Sequence, residues 1–216
     1  MPFIDVPASR ADVARRRLES LPPHERIIEV ARDLFCRDGI HATGIDRILS
    51  EAGSSKMTLY SRFGSKEALL REVLAREGTE WRDAFTAAVT AAGPDPSACL
   101  HAVIPALRTW FEGDRFYGCA FMNAAAEHAK GGPAKPGQRG AEASWLREMT
   151  AEHHGAILAF LAGLAAEAAY PEPEVLARQI LLVIDGAIAA LMVSGDGAVL
   201  DIAARNLRAV LAHPGA

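Results

Sequence analysis

The chain has 216 residues, half of them hydrophobic, and its 23 Lys and Arg against 27 Asp and Glu give a formal net charge of −4. This composition excludes an intrinsically disordered chain, which is poor in apolar residues and strongly charged. Three cysteines exclude a disulfide framework and favour a reducing compartment. The mild acidity argues against a protein that coats nucleic acid non-specifically, but an average charge leaves room for a local basic surface.

The N-terminal segment, residues 1–23, carries a cluster of arginines and no apolar core of the kind that a secretory signal has. The cluster lies just before a Pro-Pro pair and consists of Arg10, Arg15, Arg16 and Arg17. It is either the solvated start of a helix or a basic arm that follows a phosphate backbone or enters a minor groove. We treat residues 1–23 as a predicted basic arm.

Beyond this arm, apolar residues recur at helical spacing, and no six-residue stretch alternates apolar and polar residues as a half-buried strand does. Gly and Pro punctuate the pattern at intervals, which sets the expected ends of the helices. The sequence therefore predicts an all-α protein. The predicted helices are 24–38, 45–52, 55–63, 66–92, 97–112, 119–130, 141–169, 174–194 and 198–212, with a flexible loop over 131–140.

Two short predicted helices, 45–52 and 55–63, have the spacing of a helix–turn–helix. Small Ala52 allows close approach, and Gly53 relaxes the backbone at the turn. The second helix begins with short hydroxyls, one lysine and a methionine. Hydroxyls bind phosphates, lysine reaches a base edge or a phosphate, and methionine contacts a thymine methyl group. The alternative interpretation is a small helical bundle with a polar surface.

Residues 24–74, HERIIEVARDLFCRDGIHATGIDRILSEAGSSKMTLYSRFGSKEALLREVL, resemble the DNA-binding domain of TetR-type (tetracycline-repressor-like) transcriptional regulators. The resemblance rests on Asp-Gly, Thr, Ile-x-x-Ile, Ala-Gly, Ser, Thr-Leu-Tyr, Phe and Ser-Lys-Glu-Ala-Leu in this order. It implies an N-terminal three-helix DNA-binding domain and a C-terminal helical ligand-binding and dimerisation domain. It also implies a homodimer that binds a pseudo-palindromic double-stranded DNA operator, usually represses, and is released by a small molecule. An activator is the alternative.

The resemblance places DNA contacts on and around the second short helix. Thr43 is expected to cap the preceding helix or bind a phosphate, and Tyr60 and Lys66 match positions that bind phosphates. Ser54 and Leu49 depart from the family pattern, and Ser54 is a further candidate for DNA contact. The full predicted set is Thr43, Ser54, Ser55, Lys56, Met57, Thr58, Tyr60, Ser61, Arg62 and Lys66.

The last two predicted helices are apolar enough that other helices must pack against them. The helix 174–194 is apolar almost all round, and such a helix must be covered on all faces. The resemblance implies a four-helix bundle across a two-fold axis, and burial within one chain is the alternative. The predicted interface residues are Ile180, Ile184, Ala187, Leu191, Ile202 and Val210. The apolar stretch 180–193 is shorter than the roughly 20 residues of a membrane span, so we expect a cytoplasmic protein without membrane contact.

The helices in between are expected to enclose a pocket for an apolar or amphipathic effector. Its predicted lining is Trp81, Phe85, Trp110, Phe121, Met122, Asn123, Trp145, Met149 and His153. A metal site at His128, His153 and His154 and a redox sensor at Cys36, Cys99 and Cys119 are weaker alternatives. We expect no cofactor, no metal and no catalytic residue, because no pattern typical of an enzyme occurs. An interaction module that kept the fold without binding DNA is a further alternative.

The predicted domains are a basic arm over 1–23, a helix–turn–helix domain over 24–70 and a ligand-binding and dimerisation domain over 71–216. Charge supports a division of this kind. Residues 1–76 hold 13 Lys and Arg against 11 Asp and Glu, a net of +2, while residues 77–216 hold 10 against 16, a net of −6. The DNA-binding part is only slightly positive, so affinity is expected to depend on a few well-placed contacts and on dimer symmetry.

Overall fold

The structure is a computed structural model that describes residues 16–113, 116–130 and 138–212, without the side chains of 128–130 and 138–144. Within these ranges the regular structure is helical throughout, which confirms the predicted all-α class. The helices are α1 (Pro23–Asp38), α2 (Ile45–Ala52), α3 (Lys56–Phe63), α4 (Lys66–Thr90), α5 (Pro96–Phe111), α6 (Ala120–Lys130), α7 (Gln138–Glu167), α8 (Pro173–Ser194) and α9 (Ala198–Ala212). Residues 16–20 are also helical.

The chain forms two compact units, the first ending at Arg76 and the second beginning at Glu77. The division falls inside α4, and the predicted boundary between residues 70 and 71 stays a prediction. Most of the predicted basic arm lies outside the described residues. Of its four arginines, Arg16 and Arg17 are described, and both are exposed.

In the first unit, α1 packs against α2 and α3. Pro23 starts α1, where a missing N–H costs nothing. One face of the helix is buried at helical spacing, including Ile27, Ala31 and Leu34. Gly39 ends it with φ 94°, a backbone conformation that other residues rarely adopt. This buried stripe gives the two short helices a fixed support.

In the second unit, α8 lies between α7 and α9, and α5 packs against both α7 and α9. Leu100, Leu107, Leu161 and Ile180 are among its fully buried side chains. Helix α8 is long and apolar enough to span a membrane by length and composition alone. Eight of its residues are buried in this protein core, which explains the apolar composition without a membrane.

Four residues predicted for a dimer interface lie in this core instead: Ile180, Ile184, Ala187 and Leu191. Each is at most 4% exposed within the chain itself, so their assignment to an interface is wrong. A helix that is apolar all round has no polar face to show which side turns inward. Ile202, by contrast, is 51% exposed and Val210 is half-buried, so these two assignments stay predictions.

The predicted loop over 131–140 is partly corrected, because α7 begins at Gln138. Residues 131–137 lie outside the described ranges.

Candidate functional site

The turn between α2 and α3 is built on a left-handed glycine. Gly53 has φ 55° and ψ 45°, and the N–H of Ser54 donates to the carbonyl oxygen of Leu49 at 3.0 Å. Arg26 on α1 donates from Nη2 to the carbonyl oxygen of Gly53 at 3.3 Å. This arginine fixes the turn from outside the motif. The sequence pattern did not indicate it, because its partner is 27 residues away.

Helix α3 begins at a side-chain cap. The Ser55 hydroxyl oxygen accepts from the Thr58 N–H at 3.1 Å and lies 3.0 Å from the Thr58 hydroxyl oxygen. Ser61 donates to the Thr58 carbonyl oxygen at 3.2 Å. These hydroxyls are exposed or half-exposed and already satisfy the helix, as capping residues do. The prediction that they also bind DNA stays a prediction.

The outer face of α3 presents three different side chains. Met57 is 80% exposed, Tyr60 is 48% exposed, and Lys56 projects beside them. On the opposite face Leu59 is completely buried. An apolar side chain exposed in this way can contact a thymine methyl group in a major groove.

Two predicted DNA contacts are corrected by burial. Thr43 is fully buried, and its hydroxyl donates to the Gly39 carbonyl oxygen at 2.7 Å and contacts that of Leu34 at 3.3 Å. The α2 cap is instead Gly44, without a side-chain bond. The Ser54 hydroxyl oxygen is also buried, without a hydrogen-bond partner. Neither hydroxyl reaches the surface in this conformation.

The two remaining cations of the predicted set already have partners. Lys66 donates from Nζ to the Ile40 carbonyl oxygen at 2.6 Å and lies 5.8 Å from the centre of the Phe35 ring. It therefore ties the start of α4 to the segment after α1, a structural role that the pattern did not indicate. Arg62 is exposed and lies over the Phe63 ring.

A carboxylate stands next to the lysine of α3. Asp46 on α2 lies 2.9 Å from the Lys56 ammonium, and the side chains are 81% and 65% exposed. The hydrogen bond that the Lys56 ammonium donates to the Asp46 carboxylate raises the pKa of Lys56. Since Asp46 would also repel a phosphate backbone, this pair weakens the positive field of the surface.

The second unit contains a small cavity lined by aromatic, aliphatic and titratable side chains. The volume that the centre of a water molecule can occupy in this cavity is about 20 Å³. A single bound water needs roughly 10–15 Å³ on the same measure. The lining residues are Glu77, Trp81, Trp110, Gly118, Cys119, Ala120, Phe121, His153, His154, Ile157, Ile184, Asp185 and Ile188. A ligand larger than water must therefore widen the cavity.

Four of the nine predicted effector contacts line this cavity: Trp81, Trp110, Phe121 and His153. The others lie beside it or elsewhere. Phe85 stacks on Trp81 with ring centres 4.9 Å apart, and Asn123 donates from Nδ2 to the Tyr117 carbonyl oxygen at 2.9 Å. Trp145 is 7% exposed, and Met122 and Met149 are half-buried.

The two adjacent histidines have opposite electrostatic environments. The guanidinium of Arg82 lies 3.0 Å from Nδ1 of His153, and because Arg has no acceptor, His153 must accept with this nitrogen. Burial, reinforced by Arg82, lowers the pKa of His153 to about 4. His154 instead approaches Asp185 at 3.6 Å, and the bond to this carboxylate raises its pKa.

Sequence reasoning missed two kinds of lining residue. Asp185 and Glu77 were not proposed, although a charged residue inside the apolar run 180–193 was a usable signal. Gly118 was also missed, and it has a structural reason to be glycine. Its φ is 81°, and an added Cβ would lie 2.3 Å from the sulfur of Met192. Within the described residues, no three His, Cys, Asp or Glu side chains group as metal ligands.

Comparisons with known proteins agree with this geometry. The family model described as "Bacterial regulatory proteins, tetR family" matches residues 27–73. The HTH-type transcriptional regulator QacR of Staphylococcus aureus is 37% identical over 59 residues, which are 27% of this chain and 31% of QacR. The HTH-type transcriptional activator FasR of Mycolicibacterium smegmatis is 42% identical over 64 residues, 28% of this chain and 29% of FasR. In both relatives the match thus spans less than a third of their length.

The likeness to a solved structure extends over most of the chain. The crystal structure of a TetR-family transcriptional regulator from Streptomyces coelicolor superposes with a TM-score of 0.75 at 27% identity. The match covers 88% of this chain and 94% of that one. The second unit therefore has relatives of known fold, although the sequence match to the family is concentrated in the first.

Proposed function

Because the chain belongs to the TetR-type transcriptional regulators, we propose that it binds a pseudo-palindromic operator as a homodimer and represses transcription until a small molecule releases it. The proposed role is non-catalytic. The observation that carries the DNA-binding part is the outer face of α3, where Lys56, Met57 and Tyr60 project from a helix that Leu59 anchors. In a major groove this face offers one cation, one apolar contact and one hydroxyl.

The proposed dimer interface is an exposed apolar stripe on α8 and α9. Val175, Leu182 and Val193 on α8 and Ile202 on α9 are exposed, with Leu182 at 74% and Val193 at 90%. Val175 and Leu182 are seven residues apart, as are Gly186 and Val193, so they follow the face of a packed helix. A second copy of the chain covers this stripe in a self-complementary manner under two-fold symmetry.

Release by a small molecule requires a ligand that binds two conformations unequally. A ligand that must widen the cavity meets this condition, because it binds the wider state better. By reciprocity, operator DNA must then lower the affinity for the ligand by the same factor. Repression is the proposed direction of control. A reporter that rises when the gene for this chain is supplied would support activation instead, the role that the name of FasR states.

Binding to DNA from the region upstream of its own gene tests the proposal directly. Fluorescence anisotropy over a series of salt concentrations should show binding whose logarithmic constant falls linearly with the logarithm of salt. Absence of binding at low salt would contradict the proposed function.

Replacing Asp46 by Asn should tighten this binding. The change removes a carboxylate next to the phosphates and frees Lys56. Removing one negative charge near the DNA backbone in a high dielectric should raise the affinity about fivefold. The matched control is Glu51→Gln on the same helix, about 140° around its axis, whose carboxylate pairs with Arg47 and should matter less than twofold. Weaker binding by Asp46→Asn would show that Asp46 positions Lys56 for DNA.

A further inference from the structure

The cavity in the second unit has a chemical character that narrows the class of its ligand. Three aromatic rings, those of Trp81, Trp110 and Phe121, line it together with two carboxylates, Glu77 and Asp185. Aromatic faces carry a negative quadrupole, and carboxylates carry a full negative charge. Both kinds of group attract a positive charge, and both disfavour an anion.

The aromatic rings are held in place by their neighbours. Trp81 is stacked on Phe85 and meets the Trp110 ring edge to face, with ring centres 5.6 Å apart. Phe121 is stacked on the His153 ring at 4.2 Å. An added Cβ at Gly78 would lie 2.9 Å from the Phe121 ring, so glycine is needed there for the ring to take this position. These contacts fix the orientations of the rings in the cavity before a ligand widens it.

Positive charge is scarce in the lining. None of the lining residues that the structure describes is Lys or Arg. Arg82 is outside the lining and bonded to Nδ1 of His153, so protonation of this nitrogen would bring two donors together. With His154 neutral, the lining side chains alone carry a formal charge of −2, and the Arg82 guanidinium beside His153 reduces the charge of the site to −1.

The negative charges of the two carboxylates act on a group inside the cavity. Burial raises the pKa of the Cys119 thiol, and the charges of Asp185 and Glu77 raise it further. Cys119 is itself a lining residue. Both carboxylates thus act on the interior rather than only on the surrounding solvent, and a bound cation would be stabilised by the same charges.

We infer that the effector of this chain is an organic cation, an amphipathic molecule with a quaternary or protonated amine that rests among Trp81, Trp110 and Phe121 and faces Asp185 and Glu77. This inference rests on the proposed function, because it names the ligand class of the same regulatory site. The apolar remainder of the ligand contacts Ile157, Ile184 and Ile188, which complete the lining.

Three probes of similar size and different charge test the inference on the full chain by calorimetry and tryptophan fluorescence. They are benzyltrimethylammonium, the neutral benzyl methyl sulfone and the anionic phenylmethanesulfonate. The cation should bind at least about tenfold more tightly than the sulfone, given aromatic and carboxylate contacts in a desolvated site. The anion should not bind. Equal or tighter binding of the sulfone or the sulfonate, or no saturable binding of the cation, would overturn the inference.

Matched variants locate the site. Asp185→Asn and Glu77→Gln should each weaken the cation about tenfold or more and leave the sulfone unchanged. Glu167→Gln, which removes a carboxylate from an exposed position of α7, should change neither. Circular dichroism checks that each variant is folded. Unchanged cation affinity in both cavity variants would contradict the assignment.

Operator binding without any small molecule is measured on the same preparations. A chain that binds DNA but prefers the neutral or anionic probe would contradict the ligand class alone. A chain that binds the cation but no DNA would contradict the proposed function and leave the ligand class standing.

Discussion

Replacing Leu182 by Glu should convert the proposed dimer to a monomer and abolish tight binding to the proposed operator. Leu182 is 74% exposed in the chain and lies in the middle of the apolar stripe on α8. Two-fold symmetry places two new carboxylates in one interface, and burying an unpaired charge costs several kcal/mol. Because two linked DNA-binding units bind DNA far more tightly than one, the loss of dimerisation should lower operator affinity by roughly 10²–10⁴-fold.

Analytical ultracentrifugation measures the first effect, and fluorescence anisotropy on operator DNA measures the second. The control is Ala166→Glu, which adds the same charge at an exposed position of α7 and should leave both the dimer and the affinity unchanged. A Leu182→Glu chain that remains a dimer would show that another surface forms the interface. Dissociation of the Ala166→Glu chain would point to α7.

Replacing Leu59 by Ala should remove much of the stability of the DNA-binding unit. Leu59 is completely buried, and it is the one buried residue of α3 among the described residues. Truncating a buried leucine leaves a cavity and costs about 2–5 kcal/mol, a large fraction of a typical unfolding free energy of about 5–15 kcal/mol. Denaturation in urea, followed by circular dichroism, should show the loss.

Met57→Ala is the matched control, because it truncates an apolar side chain on the opposite, exposed face of the same helix. Its unfolding free energy should change by no more than about 0.5 kcal/mol. Its preference among DNA sequences should change, since the proposed contact between Met57 and a thymine methyl group would be lost. Leu59→Ala should instead weaken binding to all sequences alike. Equal losses by Met57→Ala on operator and scrambled DNA would contradict this division.

Local signals in the sequence predicted the helices well. Three helices end at the predicted residues Asp38, Ala52 and Ser194, because Gly39, Gly53 and Gly195 are stop signals that act within a few residues. The sites were harder to predict. Thr43 follows the local rule for a capping residue, but its hydroxyl donates to carbonyl groups at the end of the preceding helix.

Orientation of apolar residues was the second difficulty. The composition of α8 indicates burial but not direction, so residues now found in the core were assigned to the interface. The same holds for aromatic residues near the cavity. Trp81 and Phe85 are both plausible lining residues by sequence. Trp81 lines the cavity, whereas Phe85 is stacked on the Trp81 ring and does not line it. Only packing between helices distinguishes such neighbours, and no local pattern records it.

Two copies of this chain are proposed to bind a two-fold-related DNA sequence, and selection from a random pool of duplexes tests this claim most directly. The bound fraction is sequenced after several rounds at moderate salt. The enriched sequences should contain two inverted half-sites whose centres lie about one helical turn, roughly 34–36 Å, or a multiple of it apart. Enrichment of a single asymmetric site, or no enrichment at low salt, would contradict the claim.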